Sequence, residues 1–400
     1  MKKNSSILLT VLLILLISII PASTVVAESQ DSLIDYSVTT LDSITQSDID
    51  LVMQNDAKLL LQDMQNNPTY YGIKTRIENL SLGSCFQFAS YSSSGEISYA
   101  DNIVYYPVCS KGNIVAILSL CKSEGTVFCS LGIDFAPTLN DLLNRGAKSL
   151  ALVDDCGTLY AIDPSNNASA LANVNTNRLL KMNKKENYQY TLIAGTKNIS
   201  KKEDPSTYSY SSYRPGDILS ASSQGRILAA SLTTKVLAYP IVDQNIGGIQ
   251  YPICWAAATA SIARYEIPSL YYLTAKNVCD ISGHAYSGAQ NTDVVDALEY
   301  FLPVSSGYNI SCASVLTQTK IKSTINNNDP TYMRSSATIN GTKEYHGTAL
   351  CGYQYSSTSF LIYLMDPAYA CIKVATYSGG QYKYAFGTYT FTWVDSVTIK

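Results

Sequence analysis

The chain has 400 residues, of which 46% are hydrophobic and 15% charged, and its formal net charge is −3. That balance supports packed cores in two or three domains rather than disorder. It excludes a nucleic-acid partner, because phosphate recognition needs a concentrated Lys/Arg surface and none is visible.

In chain order, Lys2 and Lys3 precede an uncharged stretch from Ser6 to Ile20, and Pro21 and the small-residue end Val25-Val26-Ala27 follow. This pattern predicts a secretory signal peptide over residues 1–27, removed after Ala27. Its apolar core is shorter than the ~20 residues that span a bilayer. No membrane anchor is expected after its removal, and the mature protein is expected outside the cell, with attachment to the cell surface left open. Residues Leu41 to Asn67 place Ile44, Ile49, Val52, Met53, Leu59, Leu60, Leu61 and Met64 near helical spacing, which predicts one amphipathic helix. The period then changes. Asn102–Cys109, Ile114–Leu120 and Thr126–Leu131 read as an antiparallel meander, Asp134–Asn144 as a short helix, and Leu150–Val153 and Leu159–Ile162 as further strands. The 31 tyrosines suit such half-wet strands. Residues 28–200 thus read as a helix-plus-antiparallel-sheet domain without chemistry of its own. Residues 201–235 are rich in Ser, Tyr and Lys, lack a sustained period, and read as a linker whose exposed basic bonds invite proteolysis.

Residues 236–400 carry the chemistry. A strand is expected at Lys235–Val242, then helices at Cys254–Tyr265, Leu270–Cys279, Thr292–Leu302 and Gln318–Asn327, and mainly strands from Tyr332 onward. The run Pro252-Ile253-Cys254-Trp255-Ala256-Ala257-Ala258 sets a cysteine at the start of an alanine-rich helix. Unpaired N–H groups there favour the thiolate, the form that attacks carbonyls. His346 lies on an apolar, strand-like run about ninety residues later, and Asp366 ends the run Phe360–Met365. A cysteine, then a histidine, then a side chain able to hold that histidine is the order of a nucleophilic thiol site.

On these residues the chain resembles secreted bacterial papain-like cysteine peptidases of the staphopain and streptopain kind, within the C39-like superfamily. The resemblance implies an α+β fold, with a papain-like two-lobe catalytic domain, helical lobe first and antiparallel β lobe second. It also implies that residues 28–200 form an inhibitory prodomain, although a targeting module is the competing reading. Catalytic roles pass to Cys254, His346 and Asp366, with a protein or peptide substrate, a monomeric state, and neither cofactor nor metal. Relatives place a glutamine six residues before the cysteine as oxyanion donor. Here that position is Gly248, so Gln244, with Gln250 as the alternative, takes the role. Asp366 replaces the usual Asn, and Ala368 stands where an aromatic normally shields the histidine, leaving Tyr369 as substitute.

Each assignment has a plainer competitor. Cys254 could be a buried small hydrophobe, and His284, in a Gly- and Ser-rich loop, is the other histidine. Of ten cysteines, five lie in each half, so pairing cannot be complete within a half, and free thiols are equally tenable. The same site chemistry would serve an amidase or acyl transferase acting on cell-wall amides, and an inactive papain-fold surface-binding protein would show the same patterning.

Overall fold

The computed structural model describes residues 43–83, 85–91, 97–145, 150–155, 157–163, 169–173, 178–179, 233–247 and 249–400. The expected signal peptide and nearly all of the expected linker lie outside the described residues. Among those described, no helix is long and apolar enough to cross a membrane.

The N-terminal half opens with helices α1 (Gln46–Gln54) and α2 (Asp56–Asn66). One continuous helix was expected from the apolar spacing, but Asn55 leaves the helical region at φ −115°, ψ −89°, and its side-chain amide donates to the Leu51 carbonyl. The Thr45–Asp48 capping box fixes the start of α1. Strands β1 (Leu80–Leu82), β2 (Ala89–Tyr91), β3 (Ile97–Tyr99), β4 (Ile103–Ser110), β5 (Asn113–Ser123) and β6 (Thr126–Gly132) follow. The β4–β5 and β5–β6 turns place Lys111-Gly112 and Glu124-Gly125 at positive φ, the two-residue geometry whose twist matches antiparallel strands. Helix α3 (Ala136–Asn144) and strands β7 (Ala151–Asp155), β8 (Thr158–Asp163), β9 (Ser169–Asn173) and β10 (Arg178–Leu179) complete this half.

The C-terminal half begins at β11 (Thr233–Val236), shorter than the expected strand because the chain leaves the sheet after Val236. A small hairpin, β12 (Asn245–Ile246) and β13 (Ile249–Gln250), precedes helix α4 (Cys254–Glu266). Helix α5 (Ala275–Ser282) starts only behind the Thr274 cap, since Pro268 first forces a 3₁₀ turn; α6 (Asn291–Phe301) comes next. Strand β14 (Ile310–Ser314), which the sequence did not suggest, precedes α7 (Gln318–Asn326). The remainder is β15 (Thr331–Ile339), β16 (Thr342–Tyr355), β17 (Phe360–Asp366), β18 (Cys371–Ser378), β19 (Gln381–Phe386) and β20 (Tyr389–Ile399).

The fold is α+β. Strands β15 to β20 pair in succession, all antiparallel, and β20 returns to β15, which closes a six-stranded barrel. Helix α4 packs on β16 and β15 of that barrel. Strand β18 has a third partner: Val374 pairs with Leu131 and Ala375 with Ser130 of β6. The β1-β4-β5-β6 sheet therefore runs directly into the barrel, and one buried cluster combines α1, α2 and β4–β6 with α4 and the barrel strands. The second sheet, β10-β9-β8-β7-β2-β3, covers a smaller cluster around Phe86, Phe88, Tyr105 and Phe135.

Candidate active site

Alanine is the best helix former, and the small side chains of Ala256, Ala257, Ala258 and Ala260 are wholly buried. They let α4 approach β16 closely, so the helix N-terminus abuts the stretch His346-Gly347. Trp255 is buried beside Cys254 and its indole N–H donates to the Ser287 carbonyl at 2.8 Å, which fixes the first turn. The Cys254 Sγ accepts the Gly347 backbone N–H at 3.2 Å. A Cβ at Gly347 would lie 2.6 Å from the Tyr332 hydroxyl, so only glycine lets β16 present that amide with Tyr332 in place.

His346 and Asp366 come together across the barrel. The His346 Nε2 is 2.9 Å from Asp366 Oδ1, and the ring's other face of interaction is the Cys254 sulfur, with which it hydrogen-bonds. Asp366 Oδ1 also accepts the Ala368 N–H at 3.0 Å. Burial opposes charge on all three groups, yet mutual attraction wins. Burial would raise the Cys254 thiol, but the His346 hydrogen bond and charge, with the Gly347 and Trp255 amides, bring it below its ordinary value. Burial would lower His346, but Asp366 and the sulfur raise it. The Asp366 carboxyl, resisting burial through His346 and Lys373, lies well below the usual carboxylate range. The other buried thiols behave oppositely: burial pushes Cys85 and Cys121 up to about 12 and Cys279 up to about 11. All nine cysteines among the described residues are free.

The three groups open into a cleft of about 460 Å³ that Gln244 and Gln250 also line. Gln244 is buried, and its Nε2 donates to the Tyr251 carbonyl at 3.0 Å; Gln250 donates to the Ala368 carbonyl at 3.3 Å. The expected shielding aromatic is placed differently. Tyr384 lies edge-on to His346 at 6.4 Å, whereas Tyr369 sits 5.3 Å beneath the Lys373 ammonium. Tyr384 belongs to β19, and no local pattern near Asp366 could have pointed to it. His284 stands apart from this centre, edge-on to Trp255 at 5.3 Å and 3.5 Å from Asp293. One wall of the cleft comes from the N-terminal half: Gly157 and Thr158, at the β7–β8 turn, line it. That turn is anchored by Asp154, which accepts the Gly157 N–H at 2.8 Å and the Thr388 N–H at 2.7 Å.

No family profile matches the chain, and no curated protein matches it. Among solved structures, 40% of the chain aligns with 98% of a provisionally assigned C39-like peptidase from Bacillus anthracis, at 12% identity and a TM-score of 0.28. At that score the functional reading rests on the site's own geometry.

Proposed function

We propose that the chain is a papain-like cysteine endopeptidase, secreted and made as a zymogen. The observation that carries this reading is the thiol at a helix N-terminus held between the Gly347 amide and a histidine that a buried carboxylate orients. In the reaction, the Cys254 thiolate attacks the substrate carbonyl carbon while His346 stands by as imidazolium. Negative charge grows on the carbonyl oxygen, toward which the Cys254 backbone N–H and the Gln244 amide donate. Gln244 is favoured over Gln250 because burial holds it in place. His346 then protonates the leaving amine, and a water, deprotonated by His346, hydrolyses the thioester. Asp366 keeps the ring oriented and stabilises its charged form throughout.

We attribute latency to the N-terminal half through its Gly157–Thr158 turn, which lines the cleft beside the thiol. The test is hydrolysis of small peptide substrates by the protein and its variants. Cys254→Ala and His346→Ala should each lower turnover by ~10³-fold or more, because such groups act as a unit, while His284→Ala should stay within about threefold. Gln244→Ala should cost ~10²-fold, and Gln250→Ala much less. A His284 variant as inactive as the His346 variant would refute the assignment. Labelling of Cys254 by a peptide electrophile without any turnover would favour an inert surface-binding scaffold instead.

A further inference from the structure

Lys373 is 3% exposed, and nothing in the mechanism above uses it. Its Nζ lies 2.9 Å from Asp134 Oδ1 and 3.4 Å from Asp366 Oδ2, so one ammonium is shared by two carboxylates. Asp134 belongs to the N-terminal half, just after β6, and Lys373 to β18, the strand that pairs with β6. Space for the lysine is reserved: a Cβ on Gly132 would lie 3.3 Å from Lys373 Cε and 2.9 Å from Asp134 Oδ1. Tyr369 and Tyr384 each present a ring 5.3 Å from the ammonium. A buried lysine is costly to desolvate and is retained only where charged partners surround it.

We propose that Lys373 is a positioning residue for the Cys254–His346 pair, and that Asp134 of the N-terminal half sets its effect. This deepens the peptidase reading and rests on it. Burial and the Asp366 charge push the Asp134 carboxyl up against the pull of Lys373; with Asp134 ionised the cluster Asp134, Lys373, Asp366 carries one net negative charge, and Asp366 acts on His346 as an anion. Without the Asp134 charge, Lys373 neutralises Asp366, and the imidazolium loses its support. The remaining groups that face the cluster stay neutral. Burial holds the Tyr369, Tyr382 and Tyr384 hydroxyls and the Cys371 thiol in their protonated forms, as it does Tyr105 beside Asp134 and Tyr332 beside Cys254. Glu344 and Tyr345 stand further out, on the cleft lining. Docking of the N-terminal half is thereby reported electrostatically to the site, apart from any steric cover.

The experiment is iodoacetamide alkylation of the full chain from pH 3 to 10, with the Cys254 and Cys312 peptides followed separately by mass spectrometry. Wild-type Cys254 should react as a thiolate at lower pH than an ordinary cysteine. Asp134→Asn should move its profile to lower pH by roughly 0.5–1 pH unit, because removing a negative charge eases deprotonation of the pair. Asp134→Asn with Lys373→Met restores the net charge of −1 and should return the profile to within about 0.3 pH unit of wild type. The Cys312 profile should move in none of them. A merely structural ion pair would change the extent of reaction without this shift and return. An unmoved Asp134→Asn profile, or a double variant that fails to return, overturns the proposal while leaving the peptidase reading standing. A wild-type Cys254 no more reactive than Cys312 at acid pH overturns both.

Discussion

Asp366 lies between an imidazole and an ammonium, and its charge matters more than its hydrogen bond. Asp366→Asn would keep an acceptor for His346 Nε2 but remove the anion that raises the His346 pKa. The alkaline limb of kcat/KM, set by loss of the imidazolium proton, should therefore move to lower pH by roughly one to three units. A pH–rate profile that keeps its alkaline limb would show that the carboxylate charge is idle. The same shifts make the contribution of this pair to stability depend on pH. His346, raised in the folded state, contributes fully below its unfolded value of about 6.5 and loses that contribution as pH rises through the folded value. Asp366, depressed, contributes fully above about 3.9 and loses it as pH falls through the folded value. Both contributions are complete between roughly pH 4 and 6.5, so the urea-midpoint difference between wild type and Asp366→Asn should be largest inside that window and shrink on either side. Gly347→Ala probes the third partner of the sulfur. Its Cβ would strike Tyr332 and displace the donating amide, and losing one hydrogen bond to a charged group should cost roughly 1.5–3 kcal/mol, or ~10- to 100-fold in kcat/KM.

At the scale of elements, β16 does two jobs. Its first part carries His346 and Gly347 to the helix, and its last part binds β11, pairing Val236 with Gly352. A Cβ on Gly352 would lie 2.8 Å from the Lys235 carbonyl oxygen, which is rigid backbone. Gly352→Ala should therefore unseat β11 and cost roughly 1–3 kcal/mol in urea unfolding, with faster amide exchange over residues 233–236. Unchanged exchange there would contradict the tight approach. The elements legible in the sequence were those with a strong local period: the β4–β6 meander, α4 with its alanines, and the apolar runs that became part of β16 and most of β17. Those that escaped depend on distant partners. Asn55 breaks a helix whose apolar spacing continues across the break, and β14 is mostly exposed, so no apolar run marked it. Cys254, His346 and Asp366 were legible because each lies in or beside a patterned run. Tyr384, Lys373 and Asp134 were not, because only closure of the barrel and the β6–β18 pairing bring them to the site.

For the whole molecule, the two halves share a sheet and a core, which changes what a cut in the linker accomplishes. Cleavage between residues 201 and 232 alone should leave both pieces together on gel filtration, with activity on small substrates little changed. Separating them under mild denaturant and refolding the C-terminal piece should raise turnover by about tenfold or more, and adding residues 28–200 back should suppress it. An isolated C-terminal piece that folds yet hydrolyses no faster would make the N-terminal half a targeting module. Separation also leaves a mark on the survivor. Once β6 departs, the backbone of β18 around Val374–Ala375 keeps β17 on one side but has lost its neighbour on the other, and an orphaned strand margin is adhesive toward any extended chain. A liberated enzyme would thus be prone to self-association, and its working life would be set by how soon that margin finds a replacement.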